Sequence, residues 1–117
     1  MFDPNLEVPD LRLCKKLKEL GYPQDGGGWY WNIWGDSNGK PFLMFIEDFE
    51  NFSFVYEAPK AKKEDYFIKA PTCRELWKYI EPYRTIIYIS IDPDRLANDL
   101  IWLVKNEYVK FEEGRQR

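Results

Sequence analysis

Two short apolar runs, separated by turn-forming residues, constrain the fold of this chain more than any other feature. The runs are WYWNIW at residues 29–34 and FLMFI at Phe42–Ile46, with GDSNGK at residues 35–40 between them. Aromatic and β-branched side chains suit a pleated, half-buried strand, and Gly, Asp and Asn tolerate the positive φ angles of a tight reversal. The pattern predicts a β-hairpin around which the rest of the chain is arranged.

The chain is long enough for one domain with a single core. Its 117 residues are 44% hydrophobic and 32% charged, a balance typical of globular rather than disordered proteins. Aromatic residues make up 18% of the chain, so rings supply much of its apolar area. We expect one domain over residues 1–111, followed by a polar, disordered tail over residues 112–117.

Three amphipathic segments are predicted to be helices. The first begins after Asp10, a good N-cap residue, and its leucines recur at i, i+4 and i+7. Thr72 and Glu75 have the spacing of a capping box, which predicts a second helix directly after them. Asp92 and Pro93 supply the cap and the first position of the third helix. The predicted helices cover residues 11–20, residues 73–79 and the segment that begins at residue 93.

Three further segments have strand-like sequence. They are residues 52–57, the short stretch 66–68, and residues 85–91, which carry apolar side chains on both faces. The last pattern is typical of a strand in the middle of a sheet, while residues 58–64 are predicted to form a basic loop. We therefore expect an α+β fold, with an antiparallel or mixed sheet of about four strands and three helices packed mainly on one face.

The composition excludes several classes of function. The chain contains no histidine, which removes His-based catalytic triads and the usual catalytic zinc sites. A net charge of -3 argues against nucleic acid, and duplex DNA above all, as a partner. Neither the carboxylates nor the thiols have the spacing of a catalytic constellation or a calcium loop. We therefore expect no enzyme activity, no metal and no cofactor.

Two local motifs also favour structural roles. Three glycines at residues 26–28 resemble a phosphate-binding loop, but they lead into a strand and lack the Lys-Ser or Lys-Thr pair. Cys14 and Cys73 are expected to be buried thiols rather than a disulfide. The apolar runs are only of strand length and the chain has no leader-like start, so we expect a cytoplasmic protein with no membrane segment.

The alternation of ring side chains predicts an aromatic face on the sheet. Three helices can cover one face, and a chain this short has little left to cover the other. The candidate binding residues on that second face are Tyr30, Trp34, Phe45 and Tyr88. An apolar patch of this kind on a soluble protein usually marks an interface. The alternative is that helices cover both faces and the rings belong to the core.

These observations favour a small binding module that uses its aromatic face for self-association, as a homodimer, or for a protein partner. The first alternative is stacking of single-stranded nucleic acid or a nucleobase on the rings, although neighbouring acidic side chains oppose it. The second alternative is a carboxylate-dependent enzyme, which no residue spacing supports.

Three segments carry a resemblance to known proteins. They are LKELGYPQ at residues 17–24, APTCRELW at residues 70–77 and LANDLIWL at residues 96–103. In these segments the chain resembles a family of small proteins encoded in phages, prophages and bacterial genomes. The resemblance covers the first and last thirds of the chain and implies a bacterial or mobile-element origin in the cytosol. It implies no activity and carries over no functional residue.

Overall fold

The structure of the chain, a computed structural model, describes residues 6–35, 38–52, 63–83 and 92–111. The described residues form an α+β fold, as the sequence predicts. In chain order the elements are α1 (Leu11–Glu19), β1 (Gly28–Asn32), β2 (Phe42–Ile46), α2 (Lys63–Tyr66), β3 (Phe67–Lys69), α3 (Cys73–Ile80) and α4 (Pro93–Lys105), with a 3-10 turn (Glu81–Tyr83) after α3.

β1 is the central strand of the described sheet. It pairs antiparallel with β2 on one side and with β3 on the other, so the strand order is β2-β1-β3. The pairing of β1 with β2 confirms the predicted hairpin, with Trp29 opposite Phe45 and Tyr30 opposite Met44. The predicted short strand is present as β3, displaced by one residue along the chain. The described part of the chain thus contains three strands, against the four or so expected.

Two of the predicted strands cannot be placed in this sheet. Residues 85–91 lie outside the described residues, and so do residues 53–57 of the strand predicted at 52–57. Phe52 is described and is not part of a strand; its ring packs edge-on against Phe67 of β3, with centroids 5.4 Å apart. The predicted tail, residues 112–117, also lies outside the described residues.

Side-chain caps set the starts of the three longer helices. The carboxylate of Asp10 accepts a hydrogen bond at 2.9 Å from a first-turn N–H of α1. The Thr72 N–H donates to Glu75 Oε1 at 3.0 Å, and the Glu75 N–H donates to Thr72 Oγ1 at 3.3 Å, which completes the capping box. Asp92 caps α4 through a hydrogen bond of 3.2 Å. The helix starts predicted from local sequence are confirmed.

α2 is a helix that the sequence did not predict. Lys63–Tyr66 forms a single helical turn at the end of the segment predicted to be a basic loop, and it runs directly into β3. A four-residue helix has too few positions to show an apolar periodicity.

The three longer helices share one aliphatic core. Its fully buried members include Leu13, Leu17, Leu76, Ile80, Leu96, Leu100 and Leu103. Val8, which precedes α1, and Cys14, within α1, pack on the face of the sheet that carries Trp29 and Trp31. Among the described residues, a helix and its lead-in therefore cover one face of the sheet.

The opposite face of the sheet is covered by the loop that follows β2. Phe49 from this loop is buried together with Tyr30, Ile46 and Phe67, and Phe52 packs against the same group. The expectation that the second face would stay bare is wrong, because the six residues after β2 bring the rings of Phe49 and Phe52 over it. No helix among the described residues is long and apolar enough to span a bilayer.

Candidate functional site

The four candidate binding residues do not form one exposed surface. Phe45 is 60% exposed and Trp34 is 39% exposed, but Tyr30 is fully buried. Tyr88 lies outside the described residues. The structure therefore retains two of the four as surface rings and moves one into the core.

Tyr30 is a core residue with a defined polar contact. Its ring stacks on Phe49 with centroids 4.5 Å apart, and its hydroxyl donates to the carbonyl oxygen of Gly26 at 2.8 Å. Burial raises the pKa of this hydroxyl, so it stays protonated and keeps its role as a donor. The prediction of an exposed Tyr30 is wrong because the loop after β2 folds back over it.

The hairpin register separates Tyr30 from Phe45. Residues directly opposite each other in an antiparallel pair project to the same face. Trp29 lies opposite Phe45, with ring centroids 5.4 Å apart, so Phe45 lies on the face that α1 covers. Tyr30 lies opposite Met44 on the other face. A single stacking platform made from Tyr30 and Phe45 is therefore excluded.

Trp34 lies where β1 leads into the hairpin loop. Its ring meets that of Tyr66 edge-on, with centroids 4.7 Å apart. The buried Asn32 side chain accepts hydrogen bonds from the Trp34 N–H at 2.9 Å and the Gly35 N–H at 3.3 Å, which ends the strand. Trp34 is thus held at the end of the sheet.

Backbone hydrogen bonds show which groups of β2 point outward. The Ile33 N–H donates to the Tyr66 carbonyl, and the Ala70 N–H donates to the Trp29 carbonyl, both at 2.9 Å. Odd-numbered residues of β1 therefore bond toward β3. Because successive residues of a strand alternate, the even-numbered residues of β1 bond toward β2.

The same alternation applies to β2 itself. Met44 is the partner of Tyr30, so its N–H and C=O point inward, to β1. The N–H and C=O of Leu43 and Phe45 point away from β1. In the described part of the chain no strand lies on that side of β2. Within the described residues, β2 thus presents an outer edge with two sets of main-chain donors and acceptors.

The outer edge of β2 is also apolar. Phe42 and Phe45 are its exposed side chains, at 36% and 60% of their area, and Leu43 and Met44 are half-buried. The strand itself contains no charged residue, while Lys40 precedes it and Glu47 and Asp48 follow it. An uncharged, ring-bearing edge strand is prone to pair with another strand unless something covers it.

A second candidate site is a polar cleft of about 230 Å³ beside the glycine loop. It is lined by Tyr22, Pro23, Asp25, Gly26, Gly27, Lys69, Glu75, Lys78 and Tyr79. Lys69 is one of these lining residues and is only 4% exposed, which is unusual for a lysine. The sequence around Lys69 carries no signal of this burial, because one lysine after two apolar residues is an ordinary pattern at a strand end.

The Lys69 ammonium group is engaged on every side. Its Nζ atom donates to the carbonyl oxygens of Gly27 at 2.7 Å and Asp25 at 3.2 Å, and it lies 3.6 Å from Glu75 Oε2. The same atom lies 4.9 Å from the centre of the Tyr30 ring. Two hydrogen bonds and one ion pair thus hold the glycine loop on the sheet, so the geometry favours a structural role for this lysine.

Two glycines of the loop lie against neighbouring atoms, Gly27 against backbone and Gly28 against a side chain. A Cβ atom at Gly27 would lie 2.4 Å from the Glu47 carbonyl oxygen, and one at Gly28 would lie 2.9 Å from Lys69 Nζ. The loop leads into β1, and its carbonyl oxygens accept hydrogen bonds from Lys69. An anion would meet these oxygens, so the arrangement does not suit phosphate binding.

Thiol and metal chemistry find no support in the described residues. Neither cysteine forms a disulfide, and burial raises the pKa of Cys14 and of Cys73. A raised pKa lowers the fraction of reactive thiolate. In residues 6–35, 38–52, 63–83 and 92–111, no three acidic or cysteine side chains are placed to hold a metal ion.

Comparison with known proteins adds no name to these sites. No protein-family model matches the chain, and neither curated proteins nor solved structures give a significant match. The resemblance of its helix segments to small phage and bacterial proteins stays a prediction. The outer edge of β2 and the Lys69 cleft are therefore interpreted from their own geometry.

Proposed function

We propose that this protein is a small binding module that joins another polypeptide strand at the outer edge of β2, in the first place by self-association. The observation that carries the proposal is the edge itself. The outward main-chain groups of Leu43 and Phe45 lie beside the most exposed ring of the sheet, in a strand without charge. Strand addition uses main-chain groups of this kind for affinity and neighbouring side chains for specificity.

Phe45 is expected to contribute most of the side-chain affinity. A phenylalanine offers roughly 200 Å² of area, and 60% of Phe45 is exposed. Covering that fraction stabilises the complex by about 3 kcal/mol, which corresponds to about a hundredfold in the dissociation constant. Association also has an entropic cost, so affinity depends strongly on this one ring.

Two substitutions at position 45 separate the ring from the main chain. Phe45→Ala removes the ring and keeps the outward N–H. Phe45→Pro removes both, and it leaves the pairing of β2 with β1 intact because that N–H does not point to β1. A matched control is Trp102→Ala on α4, since Trp102 is also an exposed ring, at 47% of its area, and lies away from the sheet edge.

The assay is light scattering during size-exclusion chromatography, with protein concentrations up to the millimolar range. We expect wild type and Trp102→Ala to exceed the monomer mass of 14.1 kDa as concentration rises. Phe45→Ala should require a much higher concentration, and Phe45→Pro should remain monomeric with an unchanged circular dichroism spectrum. A wild-type chain that stays monomeric throughout, or one that Phe45→Pro does not affect, would contradict the proposal.

A further inference from the structure

We infer that the strand that β2 receives is β2 of a second copy, paired antiparallel about a two-fold axis that passes midway between Met44 and its symmetry mate, called here the axis at Met44. This inference rests on the proposed use of the β2 edge and names its occupant and register. In such a dimer the described strands of both copies form one continuous sheet. The two-fold axis is perpendicular to the sheet, so equivalent faces lie on the same side.

The positions of the outward main-chain groups favour this register. Leu43 and Phe45 are symmetric about Met44, and both point away from β1. With the axis at Met44, Leu43 of each copy faces Phe45 of the other, and each pair exchanges two hydrogen bonds. All five residues of Phe42–Ile46 then lie opposite strand residues. The dimer satisfies every outward donor and acceptor that these two residues offer.

Neighbouring registers lose contacts. With the axis at Leu43, Phe45 lies opposite Pro41, which has no N–H to donate. With the axis at Phe45, the apolar Phe42 lies opposite the exposed Asp48, and pairing must extend into the bend that begins at Glu47. The axis at Met44 avoids both problems.

Charges at the ends of β2 favour the same arrangement. Lys40 lies before the strand, and Glu47 and Asp48 lie after it, all three exposed. Antiparallel pairing puts the basic end of one copy beside the acidic end of the other, whereas parallel pairing would put like charges together. With the axis at Met44, Lys40 lies opposite Asp48. A hydrogen bond from Asn51 at 2.6 Å lowers the pKa of Asp48, which is therefore ionised at neutral pH.

Cysteine cross-linking tests the register directly. Met44 and its symmetry mate form a non-hydrogen-bonded pair, in which Cα atoms lie about 4.5 Å apart, within the range of a disulfide. We therefore expect Met44→Cys, in a Cys73→Ser background, to give a disulfide-linked dimer under mild oxidation. Phe42→Cys in the same background is the control and should not cross-link, because Phe42 faces Ile46 in this register. A cross-link in Phe42→Cys together with none in Met44→Cys would overturn the register.

Charge reversal gives a second test on exposed residues, which does not depend on cysteine packing. Lys40→Glu should raise the dissociation constant roughly fivefold at low salt, since it removes two weak ion pairs. Adding Asp48→Lys to the same chain should restore the wild-type value, and high salt should remove both effects. Failure of the double variant to restore affinity would also overturn the register.

The two proposals fail in different ways. A dimer that dissociates with Phe45→Pro but gives no Met44→Cys link keeps the β2 edge as the contact and refutes the Met44 register. A chain whose mass Phe45→Pro leaves unchanged refutes the use of the edge itself.

Discussion

Lys69→Met tests whether the buried ammonium group holds the glycine loop on the sheet. Methionine keeps most of the length and volume of the lysine side chain, while it removes the charge and all three donors. In the folded chain the ammonium group donates to the carbonyl oxygens of Gly27 and Asp25, at 2.7 and 3.2 Å, and forms an ion pair with a Glu75 carboxylate oxygen at 3.6 Å. The substitution therefore leaves two carbonyl groups and one carboxylate without their cation.

The expected loss of stability follows from these contacts. A hydrogen bond to a charged group contributes roughly 1.5 to 3 kcal/mol, and a cation–π contact about 1 kcal/mol. The ion pair adds little, because the Glu75 side chain is 33% exposed and solvent screens it. Asp25 and Gly27 are exposed, so their carbonyl groups can regain water, and the variant no longer buries a charge. We expect a net loss of about 2 kcal/mol in the free energy of unfolding.

Urea denaturation at neutral pH measures this loss as a lower midpoint with an unchanged slope. The matched control is Lys78→Met, at the exposed rim of the same cleft, which should change the free energy of unfolding by less than about 0.5 kcal/mol. Faster hydrogen exchange at residues 26–28 should accompany the loss in Lys69→Met. A Lys69→Met protein as stable as wild type, or more stable, would show that desolvation of the ammonium outweighs its contacts, and would refute the reasoning.

Three further predictions concern residues whose surroundings are equally well defined. Gly28→Ala should lower the free energy of unfolding by more than Gly26→Ala in urea titrations. A Cβ at Gly28 (φ 141°) would lie 2.9 Å from Lys69 Nζ, whereas Gly26 (φ 80°) has open space around it, and the Gly26 change should cost about 1 kcal/mol. Equal losses of stability in the two variants would contradict the close approach at Gly28. Cys14, fully buried and with a raised thiol pKa, should react with a thiol-specific reagent only after unfolding, and rapid modification of the folded chain would argue against this packing. Burial raises the pKa of Asp99, whose Oδ2 atom has no hydrogen-bond partner in the described part of the chain. The protonated form of Asp99 therefore contributes its full stability below the ordinary aspartate pKa, and this contribution is lost as pH rises through the raised pKa of the folded chain. Asp99→Asn should therefore gain melting temperature relative to wild type near neutral pH and lose that gain at acidic pH, while a gain that does not depend on pH would exclude titration as its cause.

Helix starts and the hairpin were predictable because each depends on residues close together in the chain. An aspartate N-cap acts on the N–H groups of its own first turn, and the capping box of Thr72 and Glu75 spans three residues. The hairpin required only two apolar runs and a turn between them. Local chemistry of this kind needs no knowledge of which elements later pack together.

The composition of the candidate site was less predictable. The alternation within β1 separates Tyr30 from Trp29, but the partner of each depends on the hairpin register, which the loop between the strands sets. The burial of Tyr30 depends on Phe49, a residue 19 positions later whose loop folds back over the sheet. Lys69 is buried because three carbonyl and carboxylate groups from other parts of the chain converge on its ammonium group. Such convergence leaves no periodic signal in the sequence.

The amino-acid sequence by itself thus determined an α+β fold with an aromatic hairpin, the three capped helices and the absence of any histidine chemistry. Tertiary structure decided which rings stay at the surface. Phe45 remains exposed because β2 is an edge strand of the described sheet, whereas Tyr30 lies in the central strand beneath a loop. The physical reason is that a side chain's burial depends on what covers it from elsewhere in the chain, and short-range propensity carries no information about that cover.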